Sequence, residues 1–72
     1  MDNFLLIKDL ARLSGYSVYT LKFYLNEGLI KEAGRSPETN YRYFNQVNLT
    51  RLKKIRQLRK AGHSLREIKG MA

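Results

Sequence analysis

Tyr19, Lys22, Phe23 and Asn26 fall at i, i+3, i+4 and i+7, a spacing that puts all four on one face of a helix. Val18, Leu21 and Leu25 would form the opposite, apolar stripe of the same helix. A surface carrying aromatic rings, a cation and an amide is suited to contact with a nucleic-acid groove. The amide and the cation can bond base edges or phosphate oxygens, and aromatic edges can touch thymine methyls. The plainer alternative is a half-exposed face covered by a neighbouring element.

A second group lies downstream. Asn40-Tyr41-Arg42-Tyr43-Phe44 reads as a strand whose side chains alternate sides, with Arg42 flanked by aromatics that could hold it over a phosphate backbone. Arg51, Lys53 and Lys54 would lie on the outward face of a later helix, where they could meet the backbone or simply be solvated. These cations belong to a wider bias. The 72 residues hold 14 Lys and Arg against 6 Asp and Glu, a formal net charge of +8. No acidic residue stands between Glu38 and Glu67, whereas that stretch carries Arg42, Arg51, Lys53, Lys54, Arg56, Arg59, Lys60 and Arg66. A surface built only for solubility mixes the signs; a one-signed stretch favours a polyanionic partner.

Other chemistries are poorly served. His63 is the single histidine and there is no cysteine, so a metal site of ordinary ligands is not expected; His63 reads as a packing residue just before a helix cap. The carboxylates are scattered. No nucleophile–base set or phosphate-cradling glycine loop is visible, which argues against an enzyme, and no cofactor is expected. Asn48-Leu49-Thr50 matches a glycosylation sequon but falls inside an expected helix. The apolar run within Met1 to Ile7 is too brief for a signal peptide or a membrane span, so the chain reads as cytoplasmic, with no membrane partner.

The elements that must position these residues can be read from punctuation. A chain this short makes one domain and buries only about 60% of its unfolded surface, so its core is small. Leu6, Ile7, Leu10, Ala11 and Leu13 recur near helical spacing and Gly15 follows as a terminator; the start, near residue 7 or 8, carries no capping side chain. Ser17 caps a second helix that Gly28 closes, and the tight segment Ser14-Gly15-Tyr16 between the two reads as a helix-turn-helix. Leu29 to Glu32 and Tyr41 to Phe44 are predicted strands around the polar loop Ala33 to Asn40, a hairpin or "wing". Asn45 caps a third helix with Val47, Leu52, Ile55 and Leu58 facing inward, ended by Gly62. Ser64-Leu65-Arg66-Glu67 is a capping box that starts a fourth.

The segment Leu10 to Tyr24, LARLSGYSVYTLKFY, resembles the opening "ELA…G-V-S-x-x-T-L-R-Y-Y" of the MerR family of transcription regulators. Glu27-Gly28-Leu29-Ile30 is similar to the following "E-G-L-L", Asn40 to Phe44 to "G-Y-R-x-Y", and Arg51 through Ile68 to "R-L-x-x-I…L…G-F-S-L-x-E-I". Together they cover residues 5 to 70, in order and at proper spacing. The resemblance implies a mainly α, winged helix-turn-helix domain over residues 1–72, with three to four helices and a two-stranded wing. Its second helix would enter the major groove of double-stranded DNA and its wing would grip the flanking backbone. Lys22, Phe23 and Tyr24 would stand where the family's Arg-Tyr-Tyr meets DNA, and Arg42 where the wing arginine meets phosphate.

The candidate DNA-binding set is therefore Ser17, Tyr19, Lys22, Phe23, Tyr24, Asn26, Arg35, Tyr41, Arg42, Arg51 and Lys54. Some departures change the chemistry. Phe23 and Phe44 lack the hydroxyls of the family tyrosines, Lys22 cannot form the bidentate fork of an arginine, and Asn40 replaces a glycine as a residue able to adopt positive φ. The resemblance also implies homodimerisation through a long helix after this module, and action on RNA polymerase at the promoter. That helix and an effector domain are not within the 72 residues, so the chain reads as a piece of a longer regulator or a short stand-alone member, monomeric by itself. Two other readings remain: an excisionase-like DNA-bending factor, and a basic protein-interaction module.

Overall fold

A computed structural model describes residues 4–71; the first three residues of the N-terminal run, and Ala72, lie outside the described residues. The order is α1 (Ile7–Ser14), α2 (Val18–Glu27), β1 (Gly34–Arg35), β2 (Arg42–Tyr43), α3 (Gln46–Lys60) and α4 (Leu65–Gly70). This is the expected mainly helical, winged helix-turn-helix arrangement. Helix α1 packs on α2 and α3, and α4 packs on α3.

Local chemistry explains the helix ends. The Ser17 hydroxyl accepts the Thr20 N–H at 3.1 Å, and the Asn45 side chain accepts the Val47 N–H at 3.0 Å. At α4 the box closes both ways: the Ser64 hydroxyl accepts from the Glu67 N–H, and the Glu67 carboxylate accepts from the Ser64 N–H at 2.8 Å. Helix α1 begins at residue 7 as expected, after Leu6, which has no capping oxygen. Asp9 supplies half a cap instead, its carboxylate accepting the Leu6 N–H at 3.0 Å. Helices α1 and α2 end on Gly15 and Gly28 in the left-handed conformation, with φ of 81° and 78°.

The core is built from all four helices and the residue that follows β2, around Leu10, Leu21, Phe44, Leu52, Ile55 and Ile68, all essentially sealed from solvent. Each contributes roughly 1.5–3 kcal/mol of burial. On α3 the inward stripe begins at Asn48 and runs through Leu52 and Ile55. Val47 is not part of it, contrary to expectation: it sits one residue, or about 100°, around the helix from Asn48 and is 72% exposed.

The wing also differs from its sequence reading. Leu29 to Glu32 is not a strand. Leu29 and Ile30 are buried in the core where the chain leaves α2, and the Leu29 N–H donates to the Tyr24 carbonyl at 2.9 Å, closing the helix end. Their apolar character reflects core filling rather than pairing. The antiparallel ladder forms one step later, pairing Gly34 with Tyr43 and Arg35 with Arg42. On its other edge, Phe44 exchanges two backbone bonds with Leu5, at 2.9 and 2.7 Å, which ties the wing to the start of the fold.

Candidate nucleic-acid interface

The outward face of α2 is as its spacing requires. Tyr19 is 83% exposed, Lys22 and Asn26 are exposed, and Phe23 is 44% exposed. They do not all look the same way. Phe23 leans into a shallow groove of about 180 Å³ against Leu65, Arg66 and Lys69 at α4. Lys22 instead lines a cleft of about 430 Å³ between α2, the start of α1 and the wing. Leu6, Ile7 and Phe44 supply its apolar surface, while Lys8, Lys22, Asn40, Tyr41 and Arg42 supply its polar groups. Three cations from three elements thus border one groove.

Lys8 was not anticipated. It sits in the first turn of α1, where the helix dipole disfavours a cation. That local misplacement is the signal that could have singled it out.

Two of the expected contact residues are engaged within the fold. Tyr24 is only 6% exposed and belongs to the core. Its ring meets Tyr16 edge-on, with centroids 5.4 Å apart, and the Arg56 guanidinium lies 4.5 Å from the Tyr16 ring centre. Burial, and then the Tyr24 phenol, push the Tyr16 hydroxyl above its ordinary pKa, against the opposing pull of Arg56 and Arg59. Tyr24 falls three residues after Leu21 and so shares its inward face. Arg51 is likewise turned inward: its Nε donates to the Leu29 carbonyl at 3.0 Å, fastening α3 to the exit of α2. Lys54 and Lys53 remain exposed on α3, away from the cleft. Ser17 is exposed, but its hydroxyl is engaged at the cap, accepting from the Thr20 N–H and donating to the Thr20 hydroxyl at 3.0 Å.

The wing residues are set by a compact hydrogen-bonded turn. The Ser36 N–H donates to the Tyr41 carbonyl and the Asn40 N–H to the Ser36 carbonyl at 2.7 Å, while Asn40 adopts φ of 62°, the positive value expected of it. Tyr41, 66% exposed, borders the cleft. Tyr43 points to the other face and meets Phe4 edge-on at 4.7 Å. Gly34 is needed opposite it, since a Cβ there would run into the Tyr43 phenol. Arg35 and Arg42, directly opposed in the ladder, both approach Glu32.

Asn48 is a further residue the sequence reading did not credit. It is 5% exposed; its amide donates to the Lys31 carbonyl at 2.7 Å and its oxygen accepts the Asn45 N–H at 3.0 Å. Its side chain is consumed in holding the approach to the wing, which disposes of the sequon.

Residues 5–72 match the family model described as MerR HTH family regulatory protein. The HTH-type transcriptional regulator CueR from Escherichia coli is 36% identical over 61 residues, covering 85% of this chain and 44% of the relative. A Haemophilus influenzae HTH-type transcriptional regulator is 41% identical over 62 residues, covering 86% and 45%. The chain thus spans less than half the length of these curated relatives. Among solved structures, HiNmlR, a MerR family regulator lacking the sensor domain and bound to promoter DNA, superposes with a TM-score of 0.86 at 33% identity, covering 96% of this chain and 54% of that one. SkgA from Caulobacter crescentus gives 0.87 at 33% identity, covering 97% and 50%. With the winged helix-turn-helix architecture and these matches running nearly end to end, the chain belongs to the MerR family of helix-turn-helix regulatory proteins.

Proposed function

We propose that this chain binds double-stranded DNA sequence-specifically to regulate transcription. The exposed face of α2, with Tyr19, Lys22 and Asn26, reads base edges in the major groove. Arg42, Arg35 and Tyr41 of the wing, with Lys8, engage the flanking backbone. The observation that carries this reading is the cleft where Lys8, Lys22 and Arg42 converge from α1, α2 and the wing beside an exposed aromatic. Such a groove suits a sugar-phosphate strand, with cations for the phosphates and an apolar surface for the sugars. The likeness to a relative solved on promoter DNA supports the same assignment.

In the whole regulator we place two such heads in a cytoplasmic homodimer acting with RNA polymerase at a promoter, linkage making the second contact effectively intramolecular. Alone, the chain is expected to be a monomer that binds one half-site weakly. The deciding measurement is a titration of duplex DNA at increasing salt. Several neutralised phosphates should make affinity fall steeply between about 50 and 200 mM salt; a flat response would refute the reading. Sedimentation of the free chain as a stable dimer would refute the monomer assignment.

A further inference from the structure

Arg35 and Arg42 face each other across the wing ladder, a pairing of like charges that is unfavourable by itself. Glu32 stands between them. The same carboxylate oxygen, Oε2, lies 3.4 Å from the Arg35 Nε and 3.6 Å from the Arg42 Nε. It is the one carboxylate paired with either arginine among the described residues. The Glu32 side chain is 21% exposed, whereas those of Arg35 and Arg42 are 44% and 43% exposed. The anion is thus tucked behind two cations that reach solvent.

Its position is firmly built. The Leu29 carbonyl is held by Arg51 and the Lys31 carbonyl by Asn48, while on the other side the Ala33 N–H donates to the Tyr43 carbonyl at 2.9 Å. Glu32 is therefore planted between fixed backbone points. Arg35 is further steered by its Nη1 donating to the Asn40 carbonyl at 3.4 Å. Yet both contacts to Glu32, measured from the Nε of each guanidinium, are longer than a good charge-assisted hydrogen bond. An arginine so held is oriented but exchangeable.

We infer that Glu32 is an internal stand-in for a DNA phosphate, holding the two wing arginines ready and yielding one or both of them to the backbone when DNA arrives. This rests on the DNA-binding reading above. Glu32 is a positioning residue that also tempers affinity: with it the cluster presents one net positive charge where two unopposed arginines would present two.

The test compares the unaltered protein with Glu32→Gln on a mixed-sequence DNA duplex across a salt series. Glu32→Gln should bind several-fold more tightly at low salt, with the slope of log K against log salt steeper by about 1. The gain should vanish when Arg35→Ala and Arg42→Ala are added. In the DNA-free protein, the Nε–H resonances of Arg35 and Arg42 should shift and exchange faster in Glu32→Gln. Glu32→Asp, whose shorter arm cannot reach both guanidiniums, should fall between the two and serves if the glutamine variant does not fold. Unchanged or weaker binding by a folded variant, or a gain that survives loss of both arginines, overturns the inference alone. If the unaltered protein binds no duplex, the DNA-binding reading falls and takes this inference with it.

Discussion

Replacing Tyr24 separates a core role from a contact role, because the two roles respond oppositely to two substitutions. Tyr24 is 6% exposed and stacked edge-on against Tyr16. Tyr24→Ala removes a buried ring, a loss of about 3–5 kcal/mol. At roughly 0.05–0.15 kcal/mol per residue, a domain of this size holds about 4–11 kcal/mol in total. The alanine variant should therefore lose roughly a quarter or more of its stability, and toward the lower end of that range it would be partly unfolded at ambient temperature. Tyr24→Phe keeps the ring and its edge-on contact, itself worth about 0.5–1.5 kcal/mol, and removes only the hydroxyl, for about 1 kcal/mol. Urea denaturation measures both costs, and a duplex titration on the folded phenylalanine variant should match the unaltered protein. A tyrosinate titration adds an independent reading: the Tyr16 pKa, raised first by burial and then by Tyr24, should move part of the way back toward ordinary. A Tyr24→Phe protein of near-native stability that loses tenfold or more in DNA affinity would refute the core assignment and restore Tyr24 to the interface.

Arg42→Ala is expected to weaken binding about equally on all sequences, whereas Tyr19→Ala or Lys22→Ala alters which sequence is preferred; a selection in which Arg42→Ala shifts the preferred site would reverse these roles. Arg51→Ala should cost about 1.5–3 kcal/mol, as expected for a hydrogen bond from a charged donor, and Arg51→Lys should not restore it because an ammonium lacks the Nε geometry. Equal urea midpoints for the unaltered protein and Arg51→Ala would show the bond to be idle. The Glu67 carboxyl is held below the usual carboxylate range by the Ser64 backbone and side chain. A depressed folded-state pKa means that its contribution is present above the unfolded pKa and disappears as pH falls through the folded one, so amide protection in α4 should drop on acidification and lose that dependence in Glu67→Gln.

How much of this was legible depended on whether a residue's role is local. Caps at Ser17, Asn45 and Ser64, terminators at Gly15 and Gly28, and positive φ at Asn40 all follow from chemistry within a few residues, and all appear where the sequence placed them. The exposed α2 face was legible too, since helical spacing alone sets it. What escaped was fixed over long separations. Leu29-Ile30 looked like a strand because apolarity does not say whether a segment is buried by pairing or by packing under helices. Arg51 looked like a surface cation because its acceptor is 22 residues away, and Asn48 stood out only as part of a sequon because its partner, the Lys31 carbonyl, is 17 residues away. Lys8, locally out of place for a cation in a first helical turn, meets Lys22 and Arg42 only through the fold.

The interface and the stability of so small a domain are consequently not separable. The wing strands are two residues each, too short to stand alone. They are held by the Leu5–Phe44 backbone exchange, by Phe44 sealed in the core and by the Phe4–Tyr43 contact. From the other side, Arg51 and Asn48 of α3 grip the carbonyls of Leu29 and Lys31. The arginines therefore sit on an element whose placement relative to α2 is set by α1 and α3 rather than by its own pairing. A volume-conserving change at Phe44, or a change at Asn48, neither of which faces the open groove with a charge, should displace Arg42 from Lys22 while the helices remain folded. Their loss of DNA affinity would then exceed what their charge could explain.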